Sequence, residues 1–190
     1  MTMWYTGIGS RNTPPEVLEQ MQSIARQLAE LGFGLRSGRA TGADAAFQKG
    51  ATEADGIKVI YIPEAGFGDP KVDTKDNFVV DGELRTIGMA YAKSVHRKWS
   101  KVSEYGTWLH ARNMCQVYGH TFENGVFIRK PSDFVLYWAP EENGIVKGGT
   151  ATAVMLARKA GVLTINMAQP DWQWRLTCAL NVMLGKEVQL

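Results

Sequence analysis

Leu35-Arg36-Ser37-Gly38-Arg39-Ala40-Thr41-Gly42-Ala43-Asp44 carries an apolar segment into a glycine-punctuated turn and straight on into a helix. A strand that ends this way delivers the backbone to the edge of a sheet. Gly38 and Gly42 let the chain approach a ligand, or turn, where a Cβ would clash, and the helix that follows presents unpaired N–H groups to an anion. This is how a phosphate cradle is built. A second such turn lies at Gly7-Ile8-Gly9-Ser10-Arg11 and a third at Lys147-Gly148-Gly149-Thr150. Three of them at strand ends point to an α/β fold with a ligand crevice at the carboxyl ends of its strands.

Outward from the first turn, the pattern supports that architecture. Met3 to Ile8 is a short apolar and aromatic run stopped by glycine, as a buried first strand would be. Thr13-Pro14-Pro15-Glu16 predicts a helix start with Thr13 as its N-cap, and Leu18, Met21, Ile24, Ala25, Leu28 and Leu31 give that helix one buried stripe before Gly32. Gly34 to Arg36 reads as a strand, Gly42 to Thr52 as a helix, and Lys58 to Ile62 as a strand ended by Pro63. The βαβαβ order predicts a doubly wound, mostly parallel, Rossmann-like sheet. Glu64 to Asp81 is rich in Gly, Asp, Lys and Pro and reads as a long loop, the start of an insertion between about 64 and 104. Beyond it the sequence predicts helices from Gly82 to about Lys98 and from Tyr105 to Tyr118, and a strand over Phe134–Trp138. A helix over Thr150–Ala160, a strand over Val162–Asn166 and a closing helix over Trp172–Leu184 complete the order.

With 190 residues, 45% of them hydrophobic and 21% charged, the chain is expected to form a single domain around one core. A net charge of +2 gives no global argument for nucleic acid, so any basic surface is local. Cys115 and Cys178 have neither metal-ligand spacing nor the density of a disulfide framework, which suits a reducing compartment and predicts no metal site. Met1 to Tyr5 has no basic and apolar leader pattern, and no window approaches the run of about 18 apolar residues needed to span a membrane. A cytoplasmic protein with no membrane partner is the expectation.

The ordered set of Gly7-Ile8-Gly9-Ser10-Arg11, Arg36 to Ala46, Leu109-His110-Ala111-Arg112-Asn113 and Gly148-Gly149-Thr150 resembles the SLOG superfamily. That group contains the DNA-processing protein DprA (Smf), the LOG-type cytokinin-activating phosphoribohydrolases and nucleotide-sensing domains of bacterial defence systems. Within it, the chain is most similar to small standalone DprA-like proteins of phages and prophages, from about Tyr5 to Asn166. The resemblance implies a nucleotide-type ligand, or single-stranded DNA, in a glycine-lined pocket. It also implies a homodimer or higher homo-oligomer, a host cytoplasmic location if phage-encoded, and a role as a phage accessory protein that could sequester a signal of host defence.

In the LOG-like hydrolases the third glycine turn continues into a glutamate that supports cleavage of an N-glycosidic bond. Here the corresponding positions are Val154 and Met155. An oxocarbenium-like transition state needs negative charge close by, so the missing carboxylate argues for a binder that needs no further cofactor. The alternative is a nucleotide N-glycosidase with a relocated acid, for which Glu141 and Glu142, just upstream, are the candidates.

The candidate ligand contacts are Gly9, Ser10, Arg11, Ser37, Gly38, Gly42, Asp44, Arg112, Asn113, Gly148, Gly149, Thr150 and Thr152. Ser10 and Arg11 supply a hydroxyl and a guanidinium that suit a phosphate, although a capping serine and a solvated arginine fit the same residues. Asp44 is either a ligand contact or an acid placed to complement its helix dipole. Arg112 and Asn113 match a pair that the superfamily places near its ligand. Thr150 and Thr152 offer hydroxyls beside glycine N–H groups, suited to a phosphate or to an ordinary N-cap. Arg97, Lys98, Trp99 and Lys101 interleave basic chains with an aromatic ring, as a single-strand track would, or form a solvated helix end behind a core tryptophan. His110 and His120 read as core or surface residues, and Trp138 as a border of the pocket.

Overall fold

The computed structural model describes residues 2–68 and 75–190; residues 69–74 of the expected long loop lie outside the described residues. In chain order the elements are β1 (Trp4–Gly9), α1 (Pro15–Glu30), β2 (Gly34–Ser37), α2 (Ala43–Glu53), β3 (Lys58–Ile62), β4 (Asn77–Val79) and α3 (Gly82–Lys93). A 3-10 turn (Trp99–Lys101) leads into α4 (Glu104–Tyr118), then β5 (Thr121–Glu123), β6 (Val126–Ile128), β7 (Phe134–Trp138), β8 (Glu141–Glu142) and β9 (Ile145–Val146). The chain closes with α5 (Thr150–Lys159), β10 (Leu163–Asn166) and α6 (Trp172–Leu184).

Six strands form one parallel sheet in the order β10-β7-β1-β2-β3-β4, the Rossmann-like arrangement expected from the βαβαβ pattern. Strand side chains alternate between two covered faces. Tyr5, Leu35, Ile60, Ile62, Phe134, Leu136 and Ile165 join α1, α2 and α6 in one apolar cluster. Ile8, Tyr61, Val135 and Tyr137 join α3, α4 and α5 in the other. With both faces covered, the strands can be apolar along their length, which is why Phe134–Trp138 reads as a continuous hydrophobic run.

The stretch from 64 to 104 does more than interrupt this plan. Its β4 pairs in parallel with β3, with Ile60 opposite Asn77, and becomes an edge of the sheet. Helix α3 stops at Lys93, short of the expected Lys98. Ser94 closes it, its N–H reaching Ala90 O and Tyr91 O and its hydroxyl donating to Tyr91 O at 2.8 Å, and the chain then turns into Trp99–Lys101. Thr13 does not cap α1 either. Its hydroxyl donates backwards to Ser10 O at 2.7 Å, and Pro14 holds the cap position with Pro15 at the first helical residue.

Two antiparallel hairpins, β5–β6 and β8–β9, stand apart from the main sheet. Each turns on Asn-Gly with both residues at positive φ, Asn124 at 51° and Gly125 at 75°, Asn143 at 50° and Gly144 at 75°. This is the turn whose twist matches paired strands.

The functional consequence lies at β1. From this strand the chain builds outward through β2, β3 and β4, then returns to place β7 and β10 on its other side. The connections leaving β1 and β7 therefore diverge, and a crevice opens between them at the carboxyl ends of the strands.

Candidate ligand-binding site

A cavity of about 380 Å3 occupies that crevice. Gly9, Ser10 and Arg11 line it from the loop after β1, Ala40 and Asp44 from the turn after β2, and Lys147, Gly148, Gly149 and Thr150 from the third glycine turn. Leu109, His110, Arg112, Asn113 and Gln116 of α4 form the facing wall. Three segments far apart in sequence thus meet at one place, as the three glycine turns suggested.

The remaining expected contacts stand behind this lining. Ser37 is fully buried and donates its hydroxyl to Gly7 O at 2.6 Å, tying β2 to β1. Gly42 has φ +83°, and a Cβ there would strike Ser10 O and Arg11, so its bare backbone lets the second turn lie directly on the first. A Cβ at Gly38 would collide with the guanidinium of Arg112 and the carboxylate of Asp44. Thr152 is buried one turn into α5, with its hydroxyl 2.9 Å from His110 Nδ1.

Asp44 and Arg112 form the electrostatic centre. Asp44 is 3% exposed and Arg112 7%, with Arg112 Nη2 3.4 Å from Asp44 Oδ2. Burial pushes the Asp44 carboxyl up, against the opposing pull of Arg112 and of the Ala40 and Gly9 N–H groups, and burial likewise lowers Arg112. Asp44 therefore works here as the local counter-charge of a buried guanidinium rather than as a solvated acid on a helix end. Nε and Nη1 of Arg112 are buried with no hydrogen-bond partner, and so is Nε2 of Gln116. A buried donor without an acceptor costs about 1–3 kcal/mol, and Nη1 is packed against the backbone of Gly38.

The mouth is more open. Gly149 caps α5 with no side-chain hydrogen bond, nothing lies within 4 Å of the Cβ positions of Gly148 and Gly149, and Ala151 N–H donates back to Gly148 O at 3.2 Å. Asn113 Nδ2 donates to Gly149 O at 3.1 Å and ties this turn to α4. Arg11 is exposed beside it, and Lys147 makes an exposed pair with Glu142 at 3.0 Å, a contact of little strength that an incoming anion can displace.

Two lining residues lie outside the expected ligand contacts. Gln116 is 1% exposed on the same face of α4 as Arg112. His110, read as a core or surface residue, lines the cavity, and burial together with His96 and Arg112 lowers it to about 4, so its imidazole is neutral at pH 7. The ring of His96 lies 4.7 Å from that of His110, and Trp99 6.0 Å from it. Trp99 thereby stands next to the cavity wall, whereas Arg97, Lys98 and Lys101 project into solvent. Trp138 packs against the α1, α2 and α6 cluster instead of the lining.

Neither Glu141 nor Glu142 lines the cavity. Glu141 receives Arg158 Nη2 at 2.9 Å, Tyr137 OH at 2.9 Å and Asn166 Nδ2 at 3.1 Å, which pins the β8–β9 hairpin over the ends of β7 and β10. These hydrogen bonds hold its carboxyl below the usual glutamate range against the opposing effect of burial. Among the described residues, Asp44 is the acid in the lining. Glu141→Gln is expected to lower stability by about 1 kcal/mol at pH 7. A depressed carboxyl contributes stability above its unfolded pKa and loses it as pH falls through the folded one, so the gap between variant and wild type should close in acid. Urea unfolding at pH 7 and pH 4 measures it; a gap that widens in acid would contradict the assignment.

No family model and no curated protein matches the chain. Solved structures share its fold. The molybdenum cofactor carrier protein from Chlamydomonas reinhardtii is 19% identical with a TM-score of 0.52, over 100% of this chain and 91% of its own. DNA processing protein A from Helicobacter pylori, described by its single-stranded DNA binding mode, is 18% identical with a TM-score of 0.51, over 98% of this chain and 74% of its own. The Rossmann-like fold expected from the glycine turns is thus shared with DprA, at identities that speak for the fold alone.

Proposed function

We propose that the crevice between β1 and β7 binds a phosphorylated nucleotide-type ligand and holds it without cleaving it. The observation that carries this is the convergence of all three glycine turns on one cavity, whose α4 wall holds the buried Arg112 guanidinium. The uncapped start of α5, the Ser10 hydroxyl and Arg11 supply an anion site at the mouth, and 380 Å3 lies within the range of small-molecule pockets. Retention rather than turnover is supported by Glu141, whose carboxylate is committed to Arg158, Tyr137 and Asn166. Sequestering a nucleotide-derived signal, as the SLOG resemblance suggests for a phage accessory protein, requires retention of this kind.

A single-stranded nucleic acid anchored by one nucleotide is the second reading. It is favoured by the Trp99 ring beside His110, which offers a stacking surface next to the exposed Arg97, Lys98 and Lys101. Its affinity for an oligonucleotide would fall steeply with salt.

Small molecules carried through purification, identified by mass spectrometry, provide the test, together with calorimetric titration of GMP and AMP. A nucleotide is expected with wild type, and Arg11→Ala should weaken GMP and AMP alike by about 10-fold through loss of one charged contact. No released base should appear on prolonged incubation. Absence of both a co-purified nucleotide and any titration signal would overturn the proposal, and steady base release would favour the hydrolase.

A further inference from the structure

Helix α6 is apolar on two opposite faces. Trp172, Leu176 and Leu180 turn inward and join the cluster on the sheet. Trp174, Cys178 and Val182 recur at the same four-residue spacing, about 200° further round the helix, and turn outward. Trp174 is 69% exposed, Val182 84%, and Cys178 is exposed between them. The helix carries a single charged residue, Arg175, whose Nη2 donates to Thr164 O at 3.2 Å. Helix α1, which covers the same sheet face, instead presents Glu16, Glu19, Arg26 and Glu30 to solvent. Apolar residues all round a helix belong to one that is buried on every side, and a row of them left open marks an interaction surface where single ones would not.

We propose that this row is the contact face of a homodimer in which two α6 helices pack antiparallel about a two-fold axis at Cys178. The row is complementary to itself. Cys178 is the middle residue of the helix and of the row, so an axis there overlaps the two helices along their whole length and sets Trp174 over the partner's Val182, large against small. Asp171 lies on the same face two turns before Cys178, and the same axis brings it beside the partner's Lys186, just past the other end; both residues are exposed. A parallel pairing would instead oppose Asp171 to itself and Trp174 to itself, and like charges repel. The contact is confined to one helix about 20 Å long, less than the roughly 800 Å2 per partner of a standard interface, so the dimer forms reversibly in the micromolar range from a folded monomer. None of these residues lines the crevice, and the inference stands independently of the nucleotide reading.

Sedimentation velocity on the full chain, from low to high micromolar concentration, tests this. Wild type is expected to pass from monomer to dimer. Trp174→Ser should weaken the dimer by about 10-fold or more, as loss of a central aromatic anchor does, while leaving Tm unchanged because the side chain is outside the core. Cys115 is buried, so a short bis-maleimide should link two wild-type chains through Cys178 and fail to do so in Trp174→Ser at the same concentration. Asp171→Lys should weaken association by a few fold, and the exchange Asp171→Lys/Lys186→Asp should restore it, a rescue that only the antiparallel arrangement provides. A wild type that stays monomeric throughout, or a dimer and a Cys178 link that persist in Trp174→Ser, would overturn the proposal. Failure of the charge exchange to rescue Asp171→Lys would overturn the antiparallel axis.

Discussion

Arg112→Leu is expected to cost about 3–5 kcal/mol of stability and to remove ligand binding in the same step. The loss comes less from the ion pair itself than from what it leaves behind, since Asp44, 3% exposed, would stay buried with its guanidinium partner gone. The pH dependence has a definite sign. Burial already raises the folded Asp44 carboxyl above its usual value. A group raised by folding contributes its stability below the unfolded pKa and loses it as pH rises through the folded one. Without Arg112 that carboxyl rises further, so the deficit should be largest near neutrality and shrink from the upper carboxylate range downward as Asp44 takes up a proton. Urea unfolding at pH 7 and pH 5, with Asp44→Asn/Arg112→Leu as the companion, measures this. The double variant should recover part of the loss at pH 7. Arg112→Leu as stable as wild type at pH 7 would mean that the buried carboxylate has another counter-charge.

Gly50→Ala should be almost as damaging, against the trend for its residue type. In an exposed helix interior, alanine is more favourable than glycine by about 1 kcal/mol. Gly50, however, lies in α2 where α1 crosses it, and a Cβ there would land on the backbone carbonyl oxygen of Gln22 and within 2.8 Å of Ala25 Cβ. A carbonyl cannot swing aside as a side chain does, so the helices must separate. Gln22 also bridges to Glu53 at 2.7 Å, so the displacement would break a contact at the rim of the same crossing. Overpacking of this kind costs about 3 kcal/mol, which outweighs the gain in helix propensity. The net loss of about 2 kcal/mol corresponds, for a chain of this size, to a fall of about 4–8 °C in Tm, measurable by calorimetry. A variant with an unchanged or raised Tm would show that the two helices are not in such close contact.

What the sequence discloses follows from how local the governing forces are. Lys58–Ile62 and Phe134–Trp138 are legible as strands because a doubly covered sheet demands unbroken apolar runs. Strand β4 is not, since Asn77–Val79 is too short to show a period and its place is set by pairing with β3 and by the Lys58–Asp76 ion pair at 3.0 Å. The Asn-Gly turns at 124–125 and 143–144 are local signals of hairpins, but their flanking strands of two or three residues do not alternate. Glu141 consequently reads as a loop acid, although pairing in β8 and its three partners hold it in place. The glycine turns announce the crevice because positive φ and close approach can be inferred from composition alone. Gln116 and His110 become lining residues only once α4 is laid across the strand ends, a relation that no local pattern encodes.

The central place of β1 also shapes how the chain must be made. Its neighbour β2 emerges from the ribosome soon after it, and β3 and β4 can add in turn. The neighbour on its other side is β7, and the Trp4 N–H that reaches Asp133 spans 129 residues of chain. Throughout that interval the nascent half-sheet carries the strand destined for its middle as a naked edge, open to pairing with another copy. Closure waits for β7, a contact of high sequence separation and therefore slow to form. During synthesis, the strand on which the crevice is built is also the one most exposed to misassembly.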